Sequence, residues 1–209
     1  MGAKAALLAF SDGDLRAVLR DAVPSDVAAA EAVVREIFPG AEVTAAGDTT
    51  LEETYPPDRV THVTVLPGAT VLCDRQLVLD RPSEIPEHLL RIGAGRRIVM
   101  LGMHSVVDWL CFAVWENGRL IRSLGLSPDN GIEENIGDSF DFERPFWAGL
   151  HPVEPDPNWE DEDPYPLPFH PLQLGEEALN SLFGFTIEGA LTPDSVLAED
   201  VHMHTFRRS

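Results

Sequence analysis

Asn117-Gly118 separates two runs that are apolar nearly throughout, DWLCFAVWE over 108–116 and RLIRSLGL over 119–126. Both central residues of a two-residue type I′ turn need positive φ, and Asn-Gly meets that need better than any other pair, so this segment is a β-hairpin. A third apolar run, Arg96–Met103, precedes it. The three make a meander over 96–127 that any fold of this chain has to accommodate, and it predicts the centre of a mainly antiparallel sheet.

Further strands follow from similar signals. KAALLAF over 4–10 is a short buried run. Val60–Leu66 and Ala69–Cys73 flank Pro67-Gly68, which predicts strand, turn and strand. With a period of two, Thr61, Val63 and Val65 share one face, and His62 and Thr64 the other. Residues 41–46 suit a strand, and Asp200–Phe206 alternates enough for an edge strand. The polar stretch 47–59 is expected to be irregular.

Three helices and a shorter one are expected. Ser11 is positioned to cap a helix with Asp14 in its first turn and Phe10 stapled on Leu15. Ser25 precedes a second helix reaching Phe38, with Val27, Val34, Ile37 and Phe38 as its apolar stripe and Pro39-Gly40 as its stop. Ser83 opens a short one over 84–91, and Leu174–Phe183 closes at Gly184. The sum is a single α+β domain over 1–209, with an antiparallel sheet and helices on one side. A small parallel α/β half built on the first strand and helix is the alternative.

Composition enters where the pattern breaks. From Asp129 to Asp163 there are 12 Asp and Glu against one Arg, and eight prolines fall between Pro145 and Pro171. Phe140, Phe142, Phe146, Trp147 and Trp159 are interspersed. A purely solvated tail has no use for such aromatics. Residues 129–171 are therefore expected to be an extended acidic wrap that lays aromatics on the core. The whole chain carries a formal net charge of -20. That field repels nucleic acid phosphates and anionic lipid surfaces, and it suits a basic protein partner.

No run reaches about 18 apolar residues, so no membrane span is expected. The opening MGAKAALLAF has no small-residue cleavage segment after it, and Ala6 stands where a myristoylation signal wants Ser or Thr. Two lone cysteines, Cys73 and Cys111, predict buried reduced thiols and a cytoplasmic protein.

Four constellations bear on chemistry. Asp12 and Asp14 follow the first strand, where carboxylates could hold Mg²⁺ or line a ligand site. The plainer reading is a helix start that welcomes acids. His104, Ser105 and Asp108 contain the residue types of a catalytic triad, although no Gly-x-Ser-x-Gly elbow surrounds Ser105. A turn between strands is the plainer reading, and His104, set among apolar residues, is the first candidate for a titrating group. The acidic wrap offers Glu133, Glu134, Glu143, Glu154 and Asp161 as acids, read by default as a solvated face. An EF-hand counted from Asp156 fails, with Asp161 and Leu167 where Gly and Glu are required. His202 and His204, two apart on one strand face, are spaced to ligate a metal, although an exposed pair on an edge strand is commoner. No metal or cofactor is assigned. Walker A and dinucleotide fingerprints are absent from the sequence.

The segments HSVVDWLCFAVWENGRLIRSLGLSPDNGIEENIG, FERPFWAG and PYPLPFHPLQLGEEAL, with KAALLAFSDGDLR, TYPPD and CDRQLVLDRPSEIPEHLL, span nearly the whole chain. In these the chain resembles an uncharacterised family of acidic proteins of about 200 residues from actinobacteria. The resemblance implies one structural unit and carries no activity. Two function classes remain. One is a non-enzymatic interaction protein using its acidic surface. The other is a small enzyme or ligand-binding protein with a pocket near His104, Asp108 and the end of the first strand. An edge strand at 200–206 would allow a homodimer by pairing across a two-fold axis.

Overall fold

The computed structural model describes residues 2–24, 26–154 and 165–209. Its strands are β1 (Lys4–Ser11), β2 (Val43–Thr50), β3 (Val60–Leu66), β4 (Ala69–Cys73), β5 (Arg97–His104), β6 (Trp109–Glu116), β7 (Arg119–Ser127), β8 (Gly131–Ile136) and β9 (His202–Arg208). Among the described residues they form one sheet in the order β2-β9-β3-β4-β1-β5-β6-β7-β8. Every neighbouring pair is antiparallel. The helices are α1 (Leu15–Arg20), α2 (Val27–Ile37), α3 (Glu87–Ile92), α4 (Arg144–Trp147) and α5 (Pro171–Phe183). The α+β class and the 96–127 meander stand as expected.

The helices lie on both faces of the sheet, which corrects the one-sided arrangement expected. Leu7 and Ala9 of β1, Leu101 of β5 and Phe112 of β6 pack with Leu15 and Leu19 of α1, Phe146 of α4 and Leu174 and Leu179 of α5. The alternate residues Leu8, Phe10, Met100 and Trp115 pack with Ala30, Val34 and Ile37 of α2 and Leu89 of α3. Burial on two faces explains why the central strands read as unbroken apolar runs: neither side of the pleat meets water.

The first helix begins later than expected. Ser11 is buried in β1, and Asp14 is the N-cap, accepting from Arg16 N at 3.1 Å. Asp26 caps α2, accepting from Ala28 N at 3.0 Å, and Ser25 lies outside the described residues. Helix α5 starts at Pro171, whose missing N–H costs nothing at a first helical position, and ends on Gly184 at φ 89°.

Two further corrections concern the sheet's margins. Residues 47–50, expected to be irregular, belong to β2, which passes a bulge between Ala45 and Gly47. Strand β9 is internal, paired with β2 on one side and β3 on the other. Both its edges are used, so it cannot pair across a two-fold axis. The sheet's edges are β2 and β8.

The acidic wrap is partly structural. Residues 131–136 are strand β8, and 144–147 are one turn of helix. Glu143 is fully buried with Arg122, whose Nη2 donates to Glu143 Oε2 at 2.6 Å and Nε to Oε1 at 2.9 Å. Arg122 Nη1 also donates to Asn135 Oδ1 at 2.6 Å and to Ile136 O at 3.0 Å. Glu143 accepts further from Phe140 N at 2.8 Å and Trp147 Nε1 at 3.2 Å. Glu134 is buried as well, bonded to the hydroxyls of Ser83 and Ser123. These two acids are therefore anchors, not members of a solvated face. Asp156, Trp159 and Asp161 lie outside the described residues.

A second buried pair fixes β9. Arg208 Nη2 bonds Asp74, Arg208 Nε donates to Thr61 Oγ1 at 2.9 Å, and the guanidinium lies 3.5 Å from the Phe38 ring centroid. No helix among the described residues is long and apolar enough to cross a membrane.

Candidate functional site

Asp12 and Asp14 do not form a ligand pair. Asp14 is occupied as the cap of α1, and Asp12 Oδ1 accepts from Arg96 Nε at 2.9 Å while Arg96 Nη2 donates to Phe10 O at 3.0 Å. Both acids serve the exit of β1. His104 lies at the other end of that strand, since Lys4 pairs with His104 and Ser11 with Arg97. The seven residue steps from Lys4 to Ser11 span about 24 Å at about 3.4 Å per residue. A single pocket joining His104 to the end of the first strand is therefore ruled out by register.

The residues His104, Ser105 and Asp108 form a turn, and among the described residues no hydrogen bond joins them as a triad. His104 Nδ1 accepts from Val106 N at 3.2 Å, Val107 N donates to His104 O at 3.3 Å, and Ser105 N donates to Ala3 O at 3.0 Å. Asp108 closes the turn at φ 46°, a left-handed conformation that Asp tolerates better than most side chains. Its carboxylate turns to His170 Nε2 at 3.4 Å. His170 in turn caps α5 through Nδ1, which accepts from Leu172 N at 3.3 Å. Asp108 thus fastens the turn to α5. Burial and the Asp108 charge together push the nearby Tyr165 hydroxyl up to about 12.

His104 itself does line a groove of about 480 Å³, with Tyr55, Arg75, Asp80, Trp109, Ser127 and Asp129. Its walls come from separate parts of the chain brought together by the sheet. His104 is directly across from Lys4 on β1 and from Trp109 on β6. Beyond the end of β4, the 52–55 segment runs beside β1: Ala6 N donates to Thr54 O at 2.9 Å, and Thr54 Oγ1 to Lys4 O at 2.7 Å. That places the Tyr55 ring edge-on to His104, centroids 5.4 Å apart. Asp74 caps the single 3₁₀ turn Arg75–Leu77, accepting from Gln76 N at 2.9 Å, and so aims Arg75 over Tyr55 at 4.2 Å from the ring centroid. Lys4 Nζ sits 5.9 Å from the same ring. Gly102 lies beneath the indole of Trp109, and a Cβ there would sit 2.6 Å from Trp109 Cη2, so a side chain at this position would have to push the indole aside.

Burial, then the charges of Lys4 and Arg75, hold the His104 imidazole below its usual value. It is therefore neutral at neutral pH. Because Nδ1 accepts a backbone bond, the remaining proton is on Nε2, which is left as a donor. Two other N–H groups on these walls, Trp109 Nε1 and Arg75 Nε, are buried without a hydrogen-bond partner among the described residues. The lining carries both signs of charge, Arg75 on one hand and Asp80 and Asp129 on the other. The arrangement can bind a small polar molecule; a nucleophile poised beside the imidazole is not among its features.

A larger cavity, about 970 Å³, opens elsewhere, near Arg97, Arg119, Arg144 and Phe142. Arg97 and Arg144 are already paired there, with Glu116 at 3.6 Å and Asp141 at 2.9 Å. Arg75 of the His104 groove is likewise paired, with Asp58 at 3.5 Å, and what sets that groove apart is the imidazole and the two aromatic rings, Tyr55 and Trp109, on its walls.

Tyr55, Arg75 and Trp109 escape a reading of the sequence because each belongs to a local pattern of its own: a Pro-Pro segment, a strand exit, a hairpin. Only the register of β1, β4, β5 and β6 assembles them. No curated protein and no solved structure matches the chain. A family model does match it over residues 5–206, a span that includes the residues lining the groove from Tyr55 to Asn130, and the chain belongs to that family, DUF6928, a family of unknown function.

Proposed function

We propose that this protein binds a small molecule of mixed charge, such as an amino acid or another zwitterion, in the groove around His104. The observation that carries the reading is the convergence of a neutral imidazole, Arg75, Tyr55 and Trp109 with two carboxylates, Asp80 and Asp129, on one concave surface. An anionic group would be met by Arg75 and the His104 Nε2–H, and a cationic group by Asp80 and Asp129. A few converging polar groups on an aromatic wall are the usual make-up of a small-ligand site. We read the protein as cytoplasmic, in keeping with the free, buried Cys73 and Cys111.

The test is a thermal-shift screen of free amino acids, short dicarboxylates and amines, followed by calorimetric titration of any hit. A ligand that binds only the folded chain raises the midpoint by mass action, by about 2.7 kcal/mol of stability at a hundredfold excess over Kd. Saturable binding of a zwitterion that is lost in Arg75→Ala and His104→Ala supports the reading. Binding that survives both substitutions, or a screen in which only unipolar anions bind, sinks it.

A second reading rests on the net charge of -20: a basic protein partner held on the acidic surface. Such binding would weaken steeply with salt and would be indifferent to Arg75→Ala.

A further inference from the structure

Strands β2 and β9 bring three metal-ligating side chains to one spot. Asp48 of β2 is the register partner of His204 on β9, and His202 lies two residues along the same strand, opposite Thr50. A period of two puts both imidazoles on one face. Asp48 Oδ1 is 2.7 Å from His204 Nδ1 and 3.7 Å from His202 Nε2. The two rings meet edge to face with centroids 4.7 Å apart. One ligand atom from each residue falls within 4.8 Å of the others. None of the three lines the groove at His104.

Three features distinguish this cluster from an ordinary surface pair. First, the β-bulge between Ala45 and Gly47, with Gly47 at φ 109°, comes immediately before Asp48 and resets which way the following residues point. Bulges commonly re-aim a side chain in this way beside functional sites. Second, His202 Nδ1 is shut off from water and has no hydrogen-bond partner among the described residues. That leaves Nε2, which faces Asp48 Oδ1 at 3.7 Å, as the ring nitrogen open to an ion. Third, burial is graded: His204 is buried, His202 half-buried and Asp48 exposed. A cup of that kind holds an ion on its closed side and leaves a position open to solvent.

We propose that Asp48, His202 and His204 bind one divalent transition-metal ion, Zn²⁺ in preference, with water completing the shell. Two imidazoles and a carboxylate are a borderline-soft set that suits Zn²⁺ and its neighbours and not Mg²⁺ or Ca²⁺. Zinc bonds of about 2.0–2.1 Å at tetrahedral angles set neighbouring donors about 3.3 Å apart. The two separations from Asp48, 2.7 and 3.7 Å, bracket that spacing, and all three donors lie within 4.8 Å of one another, so side-chain rotation has to close the set around the ion. The ligand set is that of a site with an open position, of the kind that presents a bound water or a substrate to solvent.

The experiment is calorimetric titration of the metal-stripped full chain with Zn²⁺, repeated with Co²⁺ as a spectroscopic probe and with Mg²⁺ as the hard-ion control. One equivalent of Zn²⁺ is expected to bind, and Co²⁺ to show the visible bands of a four- or five-coordinate ion. Asp48→Asn and His202→Gln sit at exposed or half-buried positions and test the site without removing the buried His204. Each is expected to weaken binding by at least about tenfold, the lower end of what even outer-shell changes cost. His88→Gln and His151→Gln, remote from the cluster, should leave it unchanged. Absence of stoichiometric binding to the wild-type chain overturns the proposal, as does affinity retained in the Asp48→Asn/His202→Gln double variant.

Discussion

Replacing Arg122 by Met leaves the Glu143 carboxylate sealed in the core without its counter-charge. Glu143 keeps Phe140 N and Trp147 Nε1 as donors but loses the two guanidinium bonds of 2.6 and 2.9 Å. The Ile136 carbonyl and the Asn135 side chain lose a donor as well. Breaking one side of a fully buried ion pair costs about 3–5 kcal/mol. In urea, with a slope of about 2 kcal/mol per molar, a 4 kcal/mol loss lowers the unfolding midpoint by about 2 M. Heating should show the same loss as a fall in Tm of about 8–16 °C, from about 2–4 °C per kcal/mol for a chain of this size. The double variant Arg122→Met/Glu143→Leu removes both charges together and should be less destabilised than Arg122→Met alone, because no unpaired charge remains. Limited proteolysis locates the damage, since Glu143 holds the 137–150 segment against β7. An Arg122→Met variant within 1 kcal/mol of wild type would refute the reasoning, and so would single-variant costs that simply add in the double.

Other outcomes are open to direct measurement. Burial holds the His62 imidazole below 6.5, so below about pH 6.5 the unfolded chain takes up a proton that the folded chain refuses. Stability is then retained above that pH and lost as pH falls through it; urea midpoints from pH 8 to 5 should show the decline, and His62→Gln should flatten it. Burial also pushes the Cys73 and Cys111 thiols well above their ordinary range, so neither should react with a thiol reagent at pH 8 until denaturant is added. Gly102→Ala should displace the Trp109 indole, shifting tryptophan emission and costing about 1–3 kcal/mol by overpacking. Asp14→Ala removes the cap of α1 and should cost about 1 kcal/mol, with no effect on binding at His104.

The strands of the meander were legible because each is contiguous, apolar and bounded by a turn whose chemistry is local, Asn117-Gly118 above all. The second half of β2 escapes the sequence because Gly47 and Asp48, both poor strand formers, cut Thr49 and Thr50 off from the run before them; it is pairing with β9, from the far end of the sequence, that makes them a strand. The second helical layer was missed because both faces of β1 read as apolar, and an apolar run does not say how many layers cover it. His104 was singled out from its setting, and the groove does contain it. Asp108 was grouped with it on proximity in sequence, whereas positive φ at Asp108 turns the carboxylate toward α5. Glu134 and Glu143 were read with the acids around them, since nothing local distinguishes a buried glutamate whose arginine partner stands 21 positions away.

Strand β9 follows every other strand in the chain yet occupies a place inside the sheet, between β2 and β3. During synthesis the ribosome releases β2 and β3 long before the strand that joins them. Until it arrives, β3 has a bare row of amides and carbonyls, and β2 has no partner at all. Such a nascent chain offers an unpaired sheet edge to any other extended segment nearby. Closing the gap requires contacts between distant parts of the sequence, which are slow to form. That edge stays open while everything from β4 to the residues after α5 is translated, and the docking of Arg208 onto Asp74 marks the end of the exposure.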